Sequence, residues 1–177
     1  MKEQESKLRV LMVSLYYPAI LGSWIFLFVN KLSDFTNILD ALADLTNYQG
    51  LFLLIYFSSM YLEVYFVNPS SYRICSFFLD ITETVLLYLA FFYIGYLHPK
   101  YYDLQKFYFF LMFVPIFVNV WNVTTHLSEL SLWILGLISS GILALGASWG
   151  WEHSWFNWGA VILFTGFLLL YLCVLND

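Results

Sequence analysis

The sequence predicts an all-α polytopic transmembrane helical bundle of about six membrane-spanning helices, with a short amphipathic surface helix after the first. Two observations predict this class. The 177 residues are 62% hydrophobic and only 11% charged, whereas a soluble domain is roughly 45–50% apolar and about 25% charged. The apolar residues also fall into long runs rather than the alternating pattern of a β-barrel. Lipid must therefore cover most of the surface, so the lipid bilayer is the first partner that the sequence implies.

Six apolar segments are bounded by polar or turn residues. A helix needs ~20 residues to cross a hydrocarbon core of about 30 Å, and the fourth and sixth segments are short for that. Four or five spans with one re-entrant segment is therefore the main alternative. Together the segments form a single integral membrane domain, residues 1–177. The predicted spans are 8–30, 48–67, 76–97, 107–123, 131–149 and 159–175.

The segment between the first two spans, SDFTNILDALADLTN at 33–47, has its own helical pattern. Its apolar residues recur at helical spacing, and its aspartates fall between them. Ser33 or Asp34 can cap the start of such a helix. We therefore expect a short amphipathic helix lying on the membrane surface.

The distribution of basic residues predicts the orientation. If the N-terminus is cytoplasmic, four Lys and Arg lie inside and three outside, a weak positive-inside bias. Both termini are then cytoplasmic, and we expect a plasma or inner membrane protein. The inside residues are Lys2, Lys7, Arg9 and Arg73, and the outside residues are Lys31, Lys100 and Lys106.

Two spans share a spacing of proline and tryptophan. Pro18 precedes Trp24 by six residues in the first span, and Pro115 precedes Trp121 by six in the fourth. If the halves are 1–97 and 98–177, this spacing indicates an inverted repeat of the kind found in secondary transporters. Chance offers the simpler explanation, because proline is common in membrane helices.

Five polar residues of the second to fourth spans, and His126 just beyond the fourth, fall at one depth of the bilayer. Because these helices alternate in direction, the end of one span, the start of the next and the end of the third meet on one side. At 1.5 Å rise per residue they occupy a band roughly 10 Å deep. We predict that this band lines a pathway or binds an ion or proton. Its members are Glu63, Asp80, Glu83, Asn119, Asn122 and His126.

The band admits several chemistries. Two carboxylates this close disfavour joint ionisation, so that one can carry a proton near neutral pH. Carboxylate and amide oxygens also suit a hard cation, and the acids with His126 could bind zinc or act in acid–base catalysis. No catalytic, nucleotide-binding or metal-binding motif accompanies them, so no cofactor is predicted and a metal is left open. In a structural reading, Asn119 and Asn122 would only join helices by hydrogen bonds.

The fifth predicted span has a small residue at every fourth position. In the fifth span, this spacing predicts a ridge for close helix packing. The packing partner is either another helix of the chain or a second chain, since a bundle this small can require a homo-oligomer or a larger membrane complex. The ridge consists of Gly136, Ser140, Ala144 and Ser148.

These features favour a small channel or transporter for a cation, a proton or a small polar solute. An accessory protein that binds the helices of a partner is the alternative, and a membrane-embedded enzyme acting on a lipid-like substrate is less favoured because no catalytic spacing is present. A net charge of −5 with only seven Lys and Arg gives no electrostatic basis for binding nucleic acid.

Overall fold

The computed structural model describes residues 2–33, 37–66, 72–96, 99–125 and 130–174. The described residues are 90% helical and contain no strand. Short 3₁₀ turns at Pro99–Tyr101 and Gly150–Glu152 join some of the helices. The helices in chain order are α1 (Lys2–Leu11), α2 (Tyr17–Leu32), α3 (Ile38–Ala43), α4 (Leu45–Phe66), α5 (Ile74–Tyr93), α6 (Leu104–Leu111), α7 (Val114–Thr125), α8 (Leu130–Ser148) and α9 (Ser154–Val174).

The all-helical fold is confirmed, and four helical stretches have the length and composition to cross a membrane. They are Lys7–Leu32, Ile74–Tyr93, Leu104–Thr125 and Leu130–Ser148. These stretches correspond to the first, third, fourth and fifth predicted spans, with ends that differ by one to four residues. The third ends early because the chain turns at Gly95, which has a positive φ of 82°, a conformation that glycine adopts without steric cost.

The second and sixth predicted spans correspond to helices α4 and α9, but neither helix is among these four stretches. Helix α4 has 22 residues, and its polar positions, among them Asn47, Gln49 and Glu63, make it less apolar. Helix α9 has 21 residues. Its part Ser154–Phe164 is apolar but shorter than the four stretches above. Residues 67, 97 and 175, at the ends of three predicted spans, lie outside the described residues.

The helix after the first span is shorter than the sequence predicted. Helix α3 has six residues and begins after Asn37, whose side-chain oxygen accepts a hydrogen bond from the Leu39 N–H at 3.0 Å. The prediction that Ser33 caps this helix is wrong, because its hydroxyl donates to a carbonyl in the last turn of α2 at 2.6 Å. Asp34, the other predicted cap, lies outside the described residues.

Both spans that contain the proline–tryptophan spacing are interrupted just before the proline. A π-helical turn, Met12–Tyr16, separates α1 from α2, which has Pro18 in its first turn. Met112 and Phe113 separate α6 from α7, in which Pro115 is the second residue. Proline has no N–H and clashes with the carbonyl four residues earlier, so each interruption has a local cause. The inverted repeat itself stays a prediction.

Hydrogen bonds between helices establish their relative directions. The Ser76 hydroxyl at the start of α5 lies 2.9 Å from the Thr124 hydroxyl at the end of α7. The Tyr96 hydroxyl, just after α5, donates to Asn47 at the start of α4 at 3.1 Å. Helices α4 and α7 are therefore both antiparallel to α5. Their C-terminal ends lie beside the start of α5.

Aromatic side chains fill the core between the first span and its neighbours. Trp24 of α2 is buried and stacks on Phe91 of α5, with ring centroids 4.8 Å apart and an interplanar angle of 4°. Its ring also lies 5.0 Å from that of Phe57 on α4. Helix α4 packs against α2, α5 and α9, while α8 packs against α6, α7 and α9. The first span is thus held against α4, and the remaining helices form the rest of the bundle.

Candidate functional site

Three acidic side chains line one narrow cleft between α4, α5 and α7. Glu63 comes from the last turns of α4, and Asp80 and Glu83 come from the first half of α5. The cleft has a volume of about 180 Å³, but it is too narrow to hold a water molecule. Its other lining residues are Met60, Val64, Val118 and Trp121. The structure therefore brings together the three acids that the sequence placed at one depth, in a closed arrangement.

Asp80 is held by aromatic side chains. It is only 1% exposed and accepts a hydrogen bond from the Tyr72 hydroxyl. The Tyr17 hydroxyl and the Trp121 indole also face this carboxylate, but neither completes a hydrogen bond within the described residues. Burial, followed by the nearby Asp80 charge, raises the pKa of Tyr72, so its hydroxyl stays protonated as a donor.

Glu83 is less well satisfied. It is 2% exposed, and its Oε1 atom has no hydrogen-bond partner among the described residues. The charged groups that act on it are Asp80 and Glu63, which have the same sign. A buried carboxylate normally requires a hydrogen bond or an ion pair. Glu83 is therefore the member of the cleft whose surroundings favour a neutral acid or an added cation.

Arg9, a basic residue at this end of the bundle, binds backbone carbonyls. The Arg9 guanidinium donates from Nε to the Val64 carbonyl at 3.0 Å and from a terminal nitrogen to the Tyr65 carbonyl. Both carbonyls are in the last turn of α4, where a cation complements the helix dipole. Arg9 thus caps α4, and it makes no ion pair with Asp80 or Glu83.

The two asparagines and the histidine of the predicted polar band do not line the acidic cleft within the described residues. Asn119 is buried and lines a second cavity, and its amide nitrogen lies 3.5 Å from the Trp133 carbonyl. Asn122 is 1% exposed, and neither of its amide atoms has a hydrogen-bond partner in the described part of the chain. His126 lies outside the described residues.

The second cavity, which we call the apolar cavity, lies between α4, the α6–α7 span, α8 and α9. It encloses about 640 Å³ of unfilled space, its open mouth included, and its exposed lining is almost entirely apolar. Val118 lines both this cavity and the acidic cleft, so the two spaces adjoin. The cavity is lined by Phe52, Tyr56, Leu111, Val114, Pro115, Val118, Asn119, Leu132, Leu135, Gly136, Ser139, Leu143 and Phe164.

The predicted small-residue ridge on α8 is divided between the interior and the surface. Gly136 contacts the Asn119 side chain so closely that an added Cβ would lie 2.2 Å from its amide nitrogen. Ser140 is buried, whereas Ala144 and Ser148 are exposed. Positions four apart advance by about 40° around a helix, because 3.6 residues make one turn. The outer half of the ridge therefore faces away from this chain, and its packing stays a prediction.

Sequence reasoning missed the tyrosines and the tryptophan around the acids. Tyr72, Tyr17 and Trp121 surround Asp80. Tyr72 lies eight residues before Asp80, just ahead of the start of α5. This short separation in the sequence is the one signal that could have identified it. The others come from different helices in a chain with 14 tyrosines and seven tryptophans, so no local pattern distinguishes them.

The cleft offers carboxylates but no recognisable metal centre. Among the described residues, no group of three His, Cys, Asp or Glu side chains could hold a metal ion. The hydroxyls of Ser59 and Thr84, on the same helices as the acids, donate to carbonyls of their own helices. The carboxylates of the cleft can therefore exchange a proton or bind a positive charge.

Comparisons with known proteins give no relative from which a function could be transferred. No family model, no curated protein and no solved structure matches this chain. Function must be inferred from the acidic cleft and the apolar cavity themselves.

Proposed function

We propose that this chain is a small integral membrane channel or transporter that passes a proton, another cation or a small polar solute through the acidic cleft. The observation that supports this most is Glu83. Its carboxylate is buried, its Oε1 atom has no hydrogen-bond partner among the described residues, and its charged neighbours are two further acids.

The energetics favour a functional role for these acids. An acid at the centre of a membrane helix costs ~2.5–3.5 kcal/mol on insertion scales. Arg9 does not offset that cost for Asp80 or Glu83, because it binds the end of α4. Two carboxylates in a space too narrow for water cannot both hold a charge cheaply. A proton shared within the cleft relieves the repulsion, and its release allows a cation to take its place.

Conduction requires a second conformation. The cleft is closed to water in this structure, so α4 and α7 must separate before an ion or solute can enter. The interruptions before Pro18 and Pro115 are the places where the helices lining this region can bend. A transporter that alternates between closed and open states fits this arrangement better than a permanently open channel.

The proposed topology has six crossings. Helices α4 and α9 are long enough to span the bilayer, with 22 and 21 residues. An even number of crossings puts both termini on one side, which we take to be the cytoplasm of a plasma or inner membrane. Helix α3 would lie on the outer surface. The exposed small residues of α8 would pack against a second copy of the chain.

Proton flux in liposomes tests the proposal. Purified protein is reconstituted with a pH-sensitive dye inside the vesicles, and a pH gradient is imposed across the membrane. We expect flux above that of empty liposomes, and loss of that flux in the double variant Asp80→Asn/Glu83→Gln. Glu152→Gln is the matched control, because Glu152 is an exposed acid far along the chain from the cleft. Unchanged flux in the double variant would overturn the assignment of the cleft.

A further inference from the structure

A groove on the outside of the bundle lies between the first span and the start of α5. It has a free volume of about 250 Å³, and its exposed lining is apolar. One wall comes from the segment 11–20 of the first span, and Phe77 of α5 forms the other. Leu11 and Leu15 line the groove and are 45% and 63% exposed. The groove therefore opens toward the surroundings of the protein and not toward its interior.

The groove is formed by an irregular helical turn and a small side chain. Met12–Tyr16 is π-helical, and single π-helical turns occur frequently at functional sites. Ala19 follows Leu11 and Leu15 at intervals of four residues, and all three are exposed. The methyl group of Ala19 leaves space that a longer side chain would fill.

The groove extends through about one leaflet of a bilayer. The first span, Lys7–Leu32, is long and apolar enough to cross a membrane. Between Leu11 and Ile20 the chain advances about 14 Å along the helix axis. The hydrocarbon core is about 30 Å thick, so that one leaflet measures about 15 Å. A phospholipid acyl chain therefore matches the groove in length and in apolar character.

Two basic side chains lie one helical turn beyond the groove, one above each wall. Lys7 precedes Leu11 by four residues in α1, which places both on one face of that helix. The Phe77 N–H donates to the Arg73 carbonyl at 3.1 Å, so Arg73 is one turn before Phe77. Arg9 of α1 binds the end of α4, which lies beside the start of α5. Both exposed cations are therefore at the same end of the bundle.

This combination selects one occupant. A phospholipid of zero net charge would fill the groove without a use for the two cations, and a free phosphate would use the cations without filling the groove. An anionic phospholipid complements both, because clustered Lys and Arg at the membrane surface attract anionic headgroups.

We propose that the groove binds one acyl chain of an anionic phospholipid, whose phosphate lies between Lys7 and Arg73. In the proposed topology this end of the bundle is cytoplasmic, and anionic lipids are concentrated in the cytoplasmic leaflet. The groove shares no lining residue with the acidic cleft. The lipid site therefore does not depend on transport through that cleft.

Native mass spectrometry of the full chain, released from a non-ionic detergent, counts the bound lipids. Dioleoyl-phosphatidylglycerol and dioleoyl-phosphatidylcholine are compared at equal concentration, so that only the headgroup differs. We expect one phosphatidylglycerol to bind the wild type about tenfold or more tightly than phosphatidylcholine, since each basic residue near the headgroup favours an anionic lipid about fivefold. Glycerol phosphate, which has the phosphate without acyl chains, should not bind measurably.

A pair of double variants tests the charge. Lys7→Gln/Arg73→Gln should lower the affinity for phosphatidylglycerol to that for phosphatidylcholine. Lys31→Gln/Lys100→Gln is the matched control, because it removes two basic residues at the opposite end of the bundle, in the last turn of α2 and after α5. This control should keep the preference of the wild type. A preference that survives in Lys7→Gln/Arg73→Gln would overturn the proposal.

A pair of single variants tests the groove. Ala19→Phe fills the groove with an aromatic ring and should abolish the tight binding of phosphatidylglycerol. Val29→Phe is the matched control, because Val29 is 56% exposed on the same helix and does not line the groove. Tight binding that persists in Ala19→Phe would contradict the place of the acyl chain.

The comparison of the two lipids on the wild type is decisive without any variant. Equal binding of phosphatidylglycerol and phosphatidylcholine would overturn the proposal, even if Ala19→Phe failed to fold. Binding of glycerol phosphate as tight as that of phosphatidylglycerol would show a phosphate site that makes no use of the groove, and would overturn the proposal as well.

Discussion

The contact between Gly136 and Asn119 gives the sharpest prediction about packing. A Cβ at position 136 would lie 2.2 Å from the Asn119 amide nitrogen and 2.9 Å from its side-chain carbon. Both distances are far below van der Waals contact, and the Asn119 side chain is buried between helices. The substitution Gly136→Ala must therefore displace the amide or separate α7 from α8, and overpacking of this kind costs about 1–3 kcal/mol.

A second glycine on the same helix is the matched control. A Cβ added at Gly141 meets nothing within 4 Å, and both positions lie inside α8. Each substitution changes the intrinsic helix preference by the same amount, about 0.5–1 kcal/mol in favour of alanine. The free energy of unfolding of Gly136→Ala should thus fall about 1–3 kcal/mol below that of Gly141→Ala.

The assay is denaturant unfolding in detergent micelles, followed by helical circular dichroism. In the double variant Asn119→Ala/Gly136→Ala the clash is absent, so the effect of Gly136→Ala measured in the Asn119→Ala background should largely disappear. Equal stability of Gly136→Ala and Gly141→Ala would refute the contact between α7 and α8. An unchanged cost in the Asn119→Ala background would place the strain elsewhere.

Three further substitutions test the polar contacts. Tyr72→Phe removes the hydroxyl that donates to buried Asp80, so the free energy of unfolding should fall by about 1–3 kcal/mol. Arg9→Met removes the cap of α4, which should cost about 1 kcal/mol and speed amide exchange in the last turn of that helix. Asp103→Ala should cost about 1 kcal/mol, because Asp103 accepts from the Lys106 N–H at 3.1 Å and pairs with its ammonium at 2.9 Å. Burial raises the pKa of Asp103, but these Lys106 interactions outweigh it and hold that pKa below 3.8. The stabilisation is therefore present above that pH, and the stabilities of wild type and Asp103→Ala should converge as the pH falls below it.

The controls for these three variants are specific to each contact. Tyr88→Phe changes an exposed tyrosine on α5 and should alter the free energy of unfolding by less than about 0.5 kcal/mol. An equal loss in Tyr88→Phe and Tyr72→Phe would contradict the Asp80 hydrogen bond. Unchanged exchange in α4 after Arg9→Met would contradict the cap. A stability difference between Asp103→Ala and the wild type that persists at acid pH would contradict the role of the Asp103 charge.

The sequence predicted the four membrane-length helices well because each of them lies in a continuous apolar run. The third span illustrates this, since the predicted 76–97 and the observed Ile74–Tyr93 differ only where Gly95 turns the chain. Alternating helix directions also sufficed to predict that Glu63 meets Asp80 and Glu83. The depth of a residue in the bilayer depends on how many residues separate it from the end of its helix, and this number can be counted in the sequence.

The contacts within the site could not be predicted in the same way. Rotation and spacing of helices decide which side chains meet, and these depend on packing across the whole bundle. The approach of Asn119 to Gly136 and of Trp121 to Asp80 joins residues far apart in the chain. The sequence assigned Asn119 to the same recess as the acids, whereas it lines the adjoining cavity, because its side chain points toward α8.

Electrical recording from reconstituted protein tests the central proposal, that the acidic cleft carries positive charge across the membrane. Proteoliposomes are adsorbed on a supported membrane, and current is measured after a rapid change of pH. We expect a current for the wild type, a reduced one for Glu83→Asp, which keeps a carboxylate, and none for Glu83→Gln. A current in Glu83→Gln equal to that of the wild type would contradict the proposal.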